Sequence, residues 1–181
     1  MIMFNNIAFI GGIHGVGKST ICHQICSELK IEYLSASEVL NAAKLTEVLR
    51  DKRVENICEN QEKLIVGLRK VIQKSKFYLL DGHFCLLDKK SEIINIPLAT
   101  FKAFKPISLN VIIGDVSIIK NRLETRDKKI YEIKLLEKMQ INELNQAKAI
   151  SKQLELPLNI GNQERYSEIL KSISDSYKNK V

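Results

Sequence analysis

The feature that most constrains this chain is a glycine-rich loop near its N-terminus, where residues 12–19 read Gly-Ile-His-Gly-Val-Gly-Lys-Ser. The glycines let successive backbone N–H groups turn inward around a phosphate chain. Lys18 then reaches the β- and γ-phosphates, and the Ser19 hydroxyl is placed to ligate Mg²⁺. This pattern is that of a phosphate-binding P-loop. The residues it predicts to bind a nucleotide are Gly12, Ile13, His14, Gly15, Val16, Gly17, Lys18 and Ser19.

The residues on either side of this loop match the strand and the helix that the motif requires. The apolar run Ile7–Ile10 precedes it, as a buried parallel strand would. Ile21, Ile25 and Leu29 follow at helical spacing, which places the bound anion at a helix N-terminus. The alternative is a decayed loop on an inert domain, but its lysine and serine are both intact. The sequence therefore predicts binding of a nucleoside triphosphate.

The rest of the chain alternates strand-like and helix-like segments, a pattern typical of a parallel sheet with helices on both faces. The predicted strands are 7–10, 31–34, 77–80, 109–113 and 158–160. The predicted helices are 18–29, one from Glu38, 52–73, 98–104, one ending at Arg126, 133–154 and one ending near Tyr177. Ser37 is expected to cap the helix that begins at Glu38. We therefore expect a single α/β P-loop domain over residues 1–181, a three-layer sandwich around a five-stranded parallel sheet, with a short lid.

Composition fits a domain of this kind. A chain of 181 residues is expected to bury a full core without disulfides, and no apolar run or basic leader indicates a membrane anchor or a signal peptide. The four cysteines, Cys22, Cys26, Cys58 and Cys85, lack disulfide-framework or CxxC spacing. Cys22 and Cys26 with His23 suggest a metal site, but the alternative, thiols acting as small hydrophobes on an apolar helix stripe, is favoured. Reduced thiols fit a cytoplasmic protein.

The formal net charge of +7 raises the question of nucleic-acid binding. The basic residues are dispersed among acidic ones, and aromatic residues make up 6% of the chain with no tryptophan, so little is available for base stacking. A mild positive field that attracts polyphosphates accounts for the charge equally well. We expect small nucleotides as partners, and neither nucleic acid nor a membrane.

Asp81 closes the apolar strand 77–80, at the edge of the sheet where open α/β proteins bind ligands. A carboxylate there would hold the Mg²⁺ shell opposite Ser19, as the second acidic element that P-loop enzymes require. The alternative is a turn former, since Asp81 precedes Gly82. With a P-loop present, the metal role is favoured.

Arg122 and Arg126 lie four residues apart, so they project from one face of their helix. Arginine clamps phosphate in a planar fork and stabilises charge on a transferred phosphoryl group. A charged segment follows, and residues 122–135 are expected to close over the phosphates as a short lid. The alternative is a solvated helix end, where cations also suit the helix dipole. The phosphate role is favoured for the pair, with Lys18 and Asp81 as the other catalytic candidates.

Five polar residues are candidates for contacts with a second substrate: Ser35, Ser37, Arg50, Gln61 and His83. The two serines would hydrogen-bond it, and Arg50 would supply a cation. The Gln61 amide would read a base edge, and His83 would face the γ-phosphate. The structural alternatives are helix capping for the serines, surface exposure for Arg50 and Gln61, and a half-buried structural role for His83. The acceptor-binding segment is placed at about residues 35–75.

With these motifs in order, the chain resembles the adenylate-kinase-like nucleoside monophosphate kinases. The similar segments are Gly12–Thr20, Leu79–His83, Arg122–Asp127, Ser35–Leu40 and Asn159–Asn162. Asp81 followed two residues later by His83 is most similar to the compact archaeal-type branch, which has a short lid. The resemblance implies ATP and Mg²⁺ as cofactors. The further ATP-binding residues that it implies are Thr20, Arg122, Gly161 and Asn162.

The chain departs from that family immediately after His83. There the family carries a proline and then an arginine that grips the acceptor phosphate, and this chain has Phe84 and Cys85. Either Arg50, His83 and lysines replace those contacts, or transfer to a monophosphate has been lost. The leading hypothesis is phosphoryl transfer from Mg·ATP to a nucleoside monophosphate or a similar small acceptor. The alternatives are a nucleotide-dependent switch or accessory ATPase that controls a protein partner and, on net charge alone, a nucleic-acid-associated ATPase.

Overall fold

A five-stranded parallel sheet forms the centre of the computed structural model, which describes residues 4–47, 57–88 and 90–179. The strands, in chain order, are β1 Ile7–Gly11, β2 Glu32–Ser35, β3 Tyr78–Asp81, β4 Cys85–Leu87, β5 Ile93–Asn95, β6 Ser108–Ile112 and β7 Leu158–Gly161. The main sheet has the order β2-β3-β1-β6-β7, and its neighbouring strands are all parallel. The remaining two strands, β4 and β5, form a separate antiparallel hairpin.

Helices cover both faces of this sheet. In chain order they are α1 Lys18–Leu29, α2 Ala36–Glu47, α3 Ile57–Val71, α4 Leu98–Phe104, α5 Val116–Asp127, α6 Ile133–Leu154 and α7 Tyr166–Lys178. Successive residues of β1 point into opposite cores: Ile7 and Phe9 pack with α3, α4 and the C-terminal half of α6, whereas Ala8 and Ile10 pack with α1, α5 and α7. The sheet therefore separates two hydrophobic layers.

The predicted fold is confirmed, with five parallel strands and helices on both faces, and α1, α4 and α6 have the predicted bounds. The predicted cap at Ser37 is wrong. Helix α2 begins at Ala36, directly after β2 ends at Ser35 and two residues before the predicted start, and the Ser35 hydroxyl accepts the Glu38 N–H at 3.5 Å. Of the predicted helix 52–73, residues 52–56 lie outside the described part of the chain.

The hairpin of β4 and β5 is missing from the sequence prediction. Each of its strands has three residues, which is too short to show a period-two pattern. In the described ranges, no helix has both the length and the apolar character needed to cross a membrane.

Helix α6 carries polar side chains that hold loops at the carboxyl edge of the sheet. The Gln140 amide accepts the Gly114 N–H at 2.9 Å and donates to the Gly114 carbonyl at 3.0 Å. Six residues later, Gln146 donates to the Ile96 carbonyl at 2.8 Å. These bonds fix the segments that follow β6 and β5.

Glu143 lies between those two glutamines on the same face of α6 and is fully buried. Its carboxylate accepts the backbone N–H groups of Phe84 at 2.9 Å and of Cys85 at 3.3 Å. A second residue of this loop, His83, places Nδ1 3.3 Å from Glu143 Oε1. One buried carboxylate therefore satisfies the loop that follows β3, where Asp81 ends the strand.

We expect Glu143→Ala to destabilise the protein by about 3 kcal/mol, because two buried N–H groups would lose their acceptor. Urea unfolding followed by circular dichroism measures this loss. The matched control is Glu137→Ala, which removes an exposed carboxylate from the same helix and is expected to change the free energy of unfolding by less than about 0.5 kcal/mol. Equal midpoints for the two variants would rule out the structural role of Glu143.

Candidate active site

The P-loop connects the carboxyl end of β1 to the start of α1, as the motif predicts. Gly17 caps α1 with φ 93°, a left-handed conformation that favours glycine. At Gly12, φ is 144° and a Cβ atom would lie 2.6 Å from the Ile112 carbonyl oxygen, so a larger residue does not fit. The first N–H groups of α1 have no partner within the helix, and they make its N-terminus an anion-binding site.

Lys18 and Asp81 form an ion pair at the edge of the sheet. Lys18 Nζ lies 3.1 Å from Asp81 Oδ1, and both side chains are less than a tenth exposed. The Tyr33 hydroxyl donates to Asp81 Oδ2 at 3.1 Å, and burial together with that carboxylate raises the pKa of Tyr33. Asp81 is thereby held next to the P-loop by two donors, the Lys18 ammonium group and the Tyr33 hydroxyl.

A cavity of about 360 Å³, the phosphate pocket, lies over the P-loop. It is lined by P-loop residues, by Arg122 and Arg126 from α5, and by Gln163 after β7. Arg122 Nη2 donates to Gln163 Oε1 at 3.1 Å. The two arginines thus share one face of α5 beside the P-loop, as their spacing predicts.

Arg126 is held by its neighbour in sequence. Its Nε and Nη2 atoms donate to the two carboxylate oxygens of Asp127 at 2.5 and 2.9 Å, and the Tyr131 hydroxyl donates to the same carboxylate at 2.6 Å. These hydrogen bonds, that from Arg126 above all, lower the pKa of Asp127. Asp127 is therefore ionised at neutral pH and keeps the Arg126 guanidinium at the mouth of the phosphate pocket.

A second cavity, of about 470 Å³, lies on the other side of Lys18, between β3, α2, α3 and α4. We call it the aromatic cavity because Phe9, Phe101 and Phe104 line it. Lys18 and Ser19 line both this cavity and the phosphate pocket. The two spaces therefore meet at the residues that a P-loop uses for phosphate and magnesium.

Two imidazole rings lie beside this junction. The rings of His14 and His83 are 4.4 Å apart, and both line the aromatic cavity. Desolvation, with the nearby His83 and Lys18, lowers the pKa of His14 from 6.5 to about 4. His14 is therefore neutral at pH 7, and it leaves Lys18 as the cation of this part of the P-loop.

Four of the five residues predicted to contact a second substrate line the aromatic cavity: Ser35, Ser37, Gln61 and His83. They come from segments up to 48 positions apart in the chain, and the fold brings them to the same space as Lys18 and Asp81. The fifth, Arg50, lies outside the described residues.

The loop after β7 packs against α7 and reaches the phosphate pocket. Gly161 is buried, and a Cβ there would lie 2.5 Å from Ile169, so packing against α7 requires glycine. The Asn162 side chain accepts the Arg165 N–H at 2.8 Å and closes a turn. Gln163 is the residue of this loop that lines the phosphate pocket. Contacts of Gly161 and Asn162 with a nucleotide stay a prediction.

Several site residues were missed by sequence reasoning. Tyr33, Glu143, Gln163, Thr100 and Phe101 contact or line the site. Gln163 has a local signal, since it follows directly on the predicted nucleotide loop. For the others the sequence offers none, because their roles depend on contacts between distant segments.

The oxygen atoms at the junction suit magnesium. Mg²⁺ is usually held by one or two carboxylates together with substrate phosphates, and Ser19 and Asp81 supply a hydroxyl and a carboxylate of this kind. Over the described ranges there is no group of three or more His, Cys, Asp or Glu residues that would hold a metal without a nucleotide. Cys22 and Cys26 pack in the core, where burial raises their pKa values and keeps them as thiols.

Together, the sheet order and the loop define a P-loop nucleotide-binding protein with a kinase-like α/β fold. The family model described as "AAA domain" matches residues 11–154. The chain therefore belongs to this AAA domain family. No curated protein sequence matches it.

Solved structures share the fold at low sequence identity. A gluconokinase from Sinorhizobium meliloti 1021 aligns with a TM-score of 0.56 and 9% identity, over 98% of this chain and 94% of the gluconokinase. An uncharacterized protein from Eubacterium ventriosum ATCC 27560 aligns with a TM-score of 0.53 and 14% identity, over 94% of this chain and 99% of that protein. These similarities establish the fold, and the adenylate-kinase branch stays a prediction.

The low pKa of His14 gives a direct test of this geometry. In an NMR titration, we expect the His14 ring to protonate near pH 4, well below the usual 6.5. In His83→Ala the midpoint is expected to rise, because the truncation opens the His14 ring to water and removes the electrostatic effect of His83 on it. Adding Mg·ADP is expected to raise it as well, because phosphates beside the ring favour its protonated form. A midpoint near 6.5 that neither change moves would contradict this arrangement.

Proposed function

We propose that this protein transfers the γ-phosphoryl group of Mg·ATP to a small acceptor bound in the aromatic cavity. The observation that carries this proposal is the meeting of the phosphate pocket and the aromatic cavity at Lys18 and Ser19. A triphosphate held by the P-loop would present its γ-end at this junction, facing the acceptor. Phosphoryl transfer needs this juxtaposition and requires no covalent enzyme intermediate.

Different residues at the junction would bind the phosphates and the magnesium ion of the donor. Lys18 and the P-loop amides would hold the β- and γ-phosphates, and Ser19 and Asp81 would hold Mg²⁺. The ion, when bound, neutralises negative charge on the phosphate oxygens. Lys18 and Asp81 already lie 3.1 Å apart, so a cation for the phosphate and a carboxylate for the metal are positioned together.

The arginines of α5 would act as the lid region closes. Arg122 and Arg126 line the phosphate pocket and would neutralise the charge that spreads over the transferred phosphoryl group. Closure of residues 122–135 would exclude water, which strengthens these interactions and suppresses hydrolysis. Arg126 is already held by Asp127, so its guanidinium group loses less conformational freedom when it binds a phosphate.

The proposal also specifies what kind of molecule accepts the phosphoryl group. The resemblance described above implies a nucleoside monophosphate, and the fold shared with a gluconokinase supports a small-molecule kinase in general terms. The volume of the aromatic cavity, about 470 Å³, lies in the range of small-molecule sites. Ser35, Ser37, Gln61 and His83 would contact the acceptor there.

A second candidate is a nucleotide-dependent switch or accessory ATPase without a small-molecule acceptor. It is favoured by Phe84 and Cys85, which occupy the positions where the resembled family grips its acceptor. Both are fully buried: Phe84 stacks on Phe101 at 5.4 Å, and Cys85 Sγ lies 3.7 Å from the Met139 carbonyl. Neither side chain is placed to hold an acceptor phosphate.

A coupled assay of ADP release separates the two functions. We expect ADP release from Mg·ATP to rise at least tenfold when the right acceptor is added from a panel of nucleosides, nucleoside monophosphates and sugar acids. Slow release that no acceptor stimulates would instead favour the switch. Calorimetry provides the prior check, since a protein that takes up no ATP in the presence of magnesium contradicts both.

Arg126→Ala is expected to lower kcat by on the order of a thousandfold, because arginines at this position stabilise the transferred phosphoryl group. The matched control is Arg69→Ala, which removes an exposed arginine from α3, away from both cavities. Thermal melting of both variants checks that the fold is kept. Near-normal turnover of a folded Arg126→Ala protein would refute the assigned role.

A further inference from the structure

Three phenylalanine rings form an apolar wall of the aromatic cavity. The ring centroids of Phe9, Phe101 and Phe104 lie 5.2, 5.7 and 5.4 Å apart, and each residue is at most 4% exposed. The small part of these rings that faces the cavity gives it an apolar, aromatic lining, against which another ring packs better than a charged group does. The cavity is therefore suited to a molecule with a planar, largely apolar part.

The charged groups that line this cavity are mainly acidic. Glu38, in the first turn of α2, and Asp81 both line it, whereas Lys18 is its one lysine or arginine among the described residues. Lys18 is paired with Asp81 and, under the proposed function, serves the donor phosphates. A monophosphate acceptor carries a charge of about −1.5 to −2 at pH 7. Asp81 is balanced by Lys18, so a monophosphate here would meet the exposed carboxylate of Glu38 and, among the described residues, no cation that is not already engaged. This arrangement disfavours a monophosphate relative to an uncharged acceptor.

The other polar groups around the cavity are neutral. Gln61 from α3 has an amide that donates and accepts, and Thr100, a buried residue of α4, has a hydroxyl. The hydroxyls of Ser35 and Ser37 lie 2.8 Å from each other at the start of α2. Such groups recognise the polar edge of an uncharged ring or the hydroxyls of a sugar.

We infer that the acceptor is an uncharged nucleoside, whose base lies on the phenylalanine wall and whose hydroxyl faces Lys18 and Ser19. This inference rests on the proposed function and narrows its acceptor from nucleotides to nucleosides. In the transfer, the acceptor hydroxyl oxygen forms a bond to the γ-phosphorus, while the bond from that phosphorus to the β–γ bridging oxygen breaks. ADP leaves with the electron pair of the broken bond, and the hydroxyl proton passes to water.

The test compares each nucleoside with its own 5′-monophosphate, and both with gluconate, in the ADP assay with the full chain. We expect kcat/KM for the best nucleoside to exceed that for its monophosphate by about tenfold or more. A monophosphate or gluconate used as well as any nucleoside overturns the inference and leaves the proposed function intact. ADP release that no acceptor stimulates overturns the proposed function itself.

A charge-reversal pair tests the electrostatic basis of the inference. Glu38→Lys exchanges a carboxylate of the cavity lining for a cation, and we expect it to shift the preference toward monophosphates by about tenfold or more. Glu62→Lys makes the same change at an exposed position of α3 outside the lining, and the preference is expected to stay unchanged. A preference that responds to neither substitution, in proteins with wild-type melting temperatures, removes this basis.

Arg50→Ala tests whether Arg50, which lies outside the described residues, binds the acceptor. If Arg50 clamps an acceptor phosphate, the wild-type protein will prefer monophosphates and Arg50→Ala will lose that preference. This pair of results overturns the inference. A preference for nucleosides that is the same in wild-type protein and in Arg50→Ala supports it.

Discussion

The buried carboxylate of Glu143 is the interaction on which the arrangement of the site depends. It joins the middle of α6 to the loop after β3, and this loop follows Asp81 directly and carries His83. A buried polar group is tolerated only when its hydrogen bonds are made, and here backbone N–H groups and an imidazole make them. The same carboxylate lies close to Gly11, where β1 passes into the P-loop, and a Cβ at Gly11 would lie 3.2 Å from it. One side chain therefore helps to define the spacing between the phosphate-binding loop and the strand end that faces it.

Charge is distributed unevenly around the two cavities, so each cavity favours a different kind of ligand. The phosphate pocket combines Lys18, Arg122 and Arg126 with the N-terminus of α1, so polyphosphate is favoured there. The aromatic cavity shares Lys18, but phenyl rings, neutral polar groups and the carboxylate of Glu38 make up much of its lining. The positive charge at the site is therefore concentrated around the phosphate pocket and not around the aromatic cavity. A donor with several phosphates and an acceptor with none match this division.

The parts of the structure that were predictable are those encoded by local pattern. The loop at residues 12–19 has its glycines, lysine and serine in fixed positions, and α6 shows its helical period over 22 residues. The site contact that was missed joins two distant positions. Glu143 is one of two acidic residues within α6, and its partner Phe84 lies 59 residues earlier. The short hairpin has no period to detect, and α2 begins two residues before its predicted start, so that Ser35 caps it. Tertiary pairing decided the role of Glu143, whereas the hairpin and the cap are local features with too short a sequence signal.

The two walls of the site are attached to the molecule in different ways. Hydrogen bonds from α6 hold the loops after β3, β5 and β6. The loops after β3 and β6 lie beside the P-loop. The opposite wall comes from α2 and α3, which pack on each other at the β2 edge of the sheet. Substitutions on α2 and α3 can therefore alter which molecule is admitted without disturbing the loops next to the phosphates. This separation makes the scaffold a suitable starting point for evolving or engineering new acceptor selectivity while the donor chemistry is left unchanged.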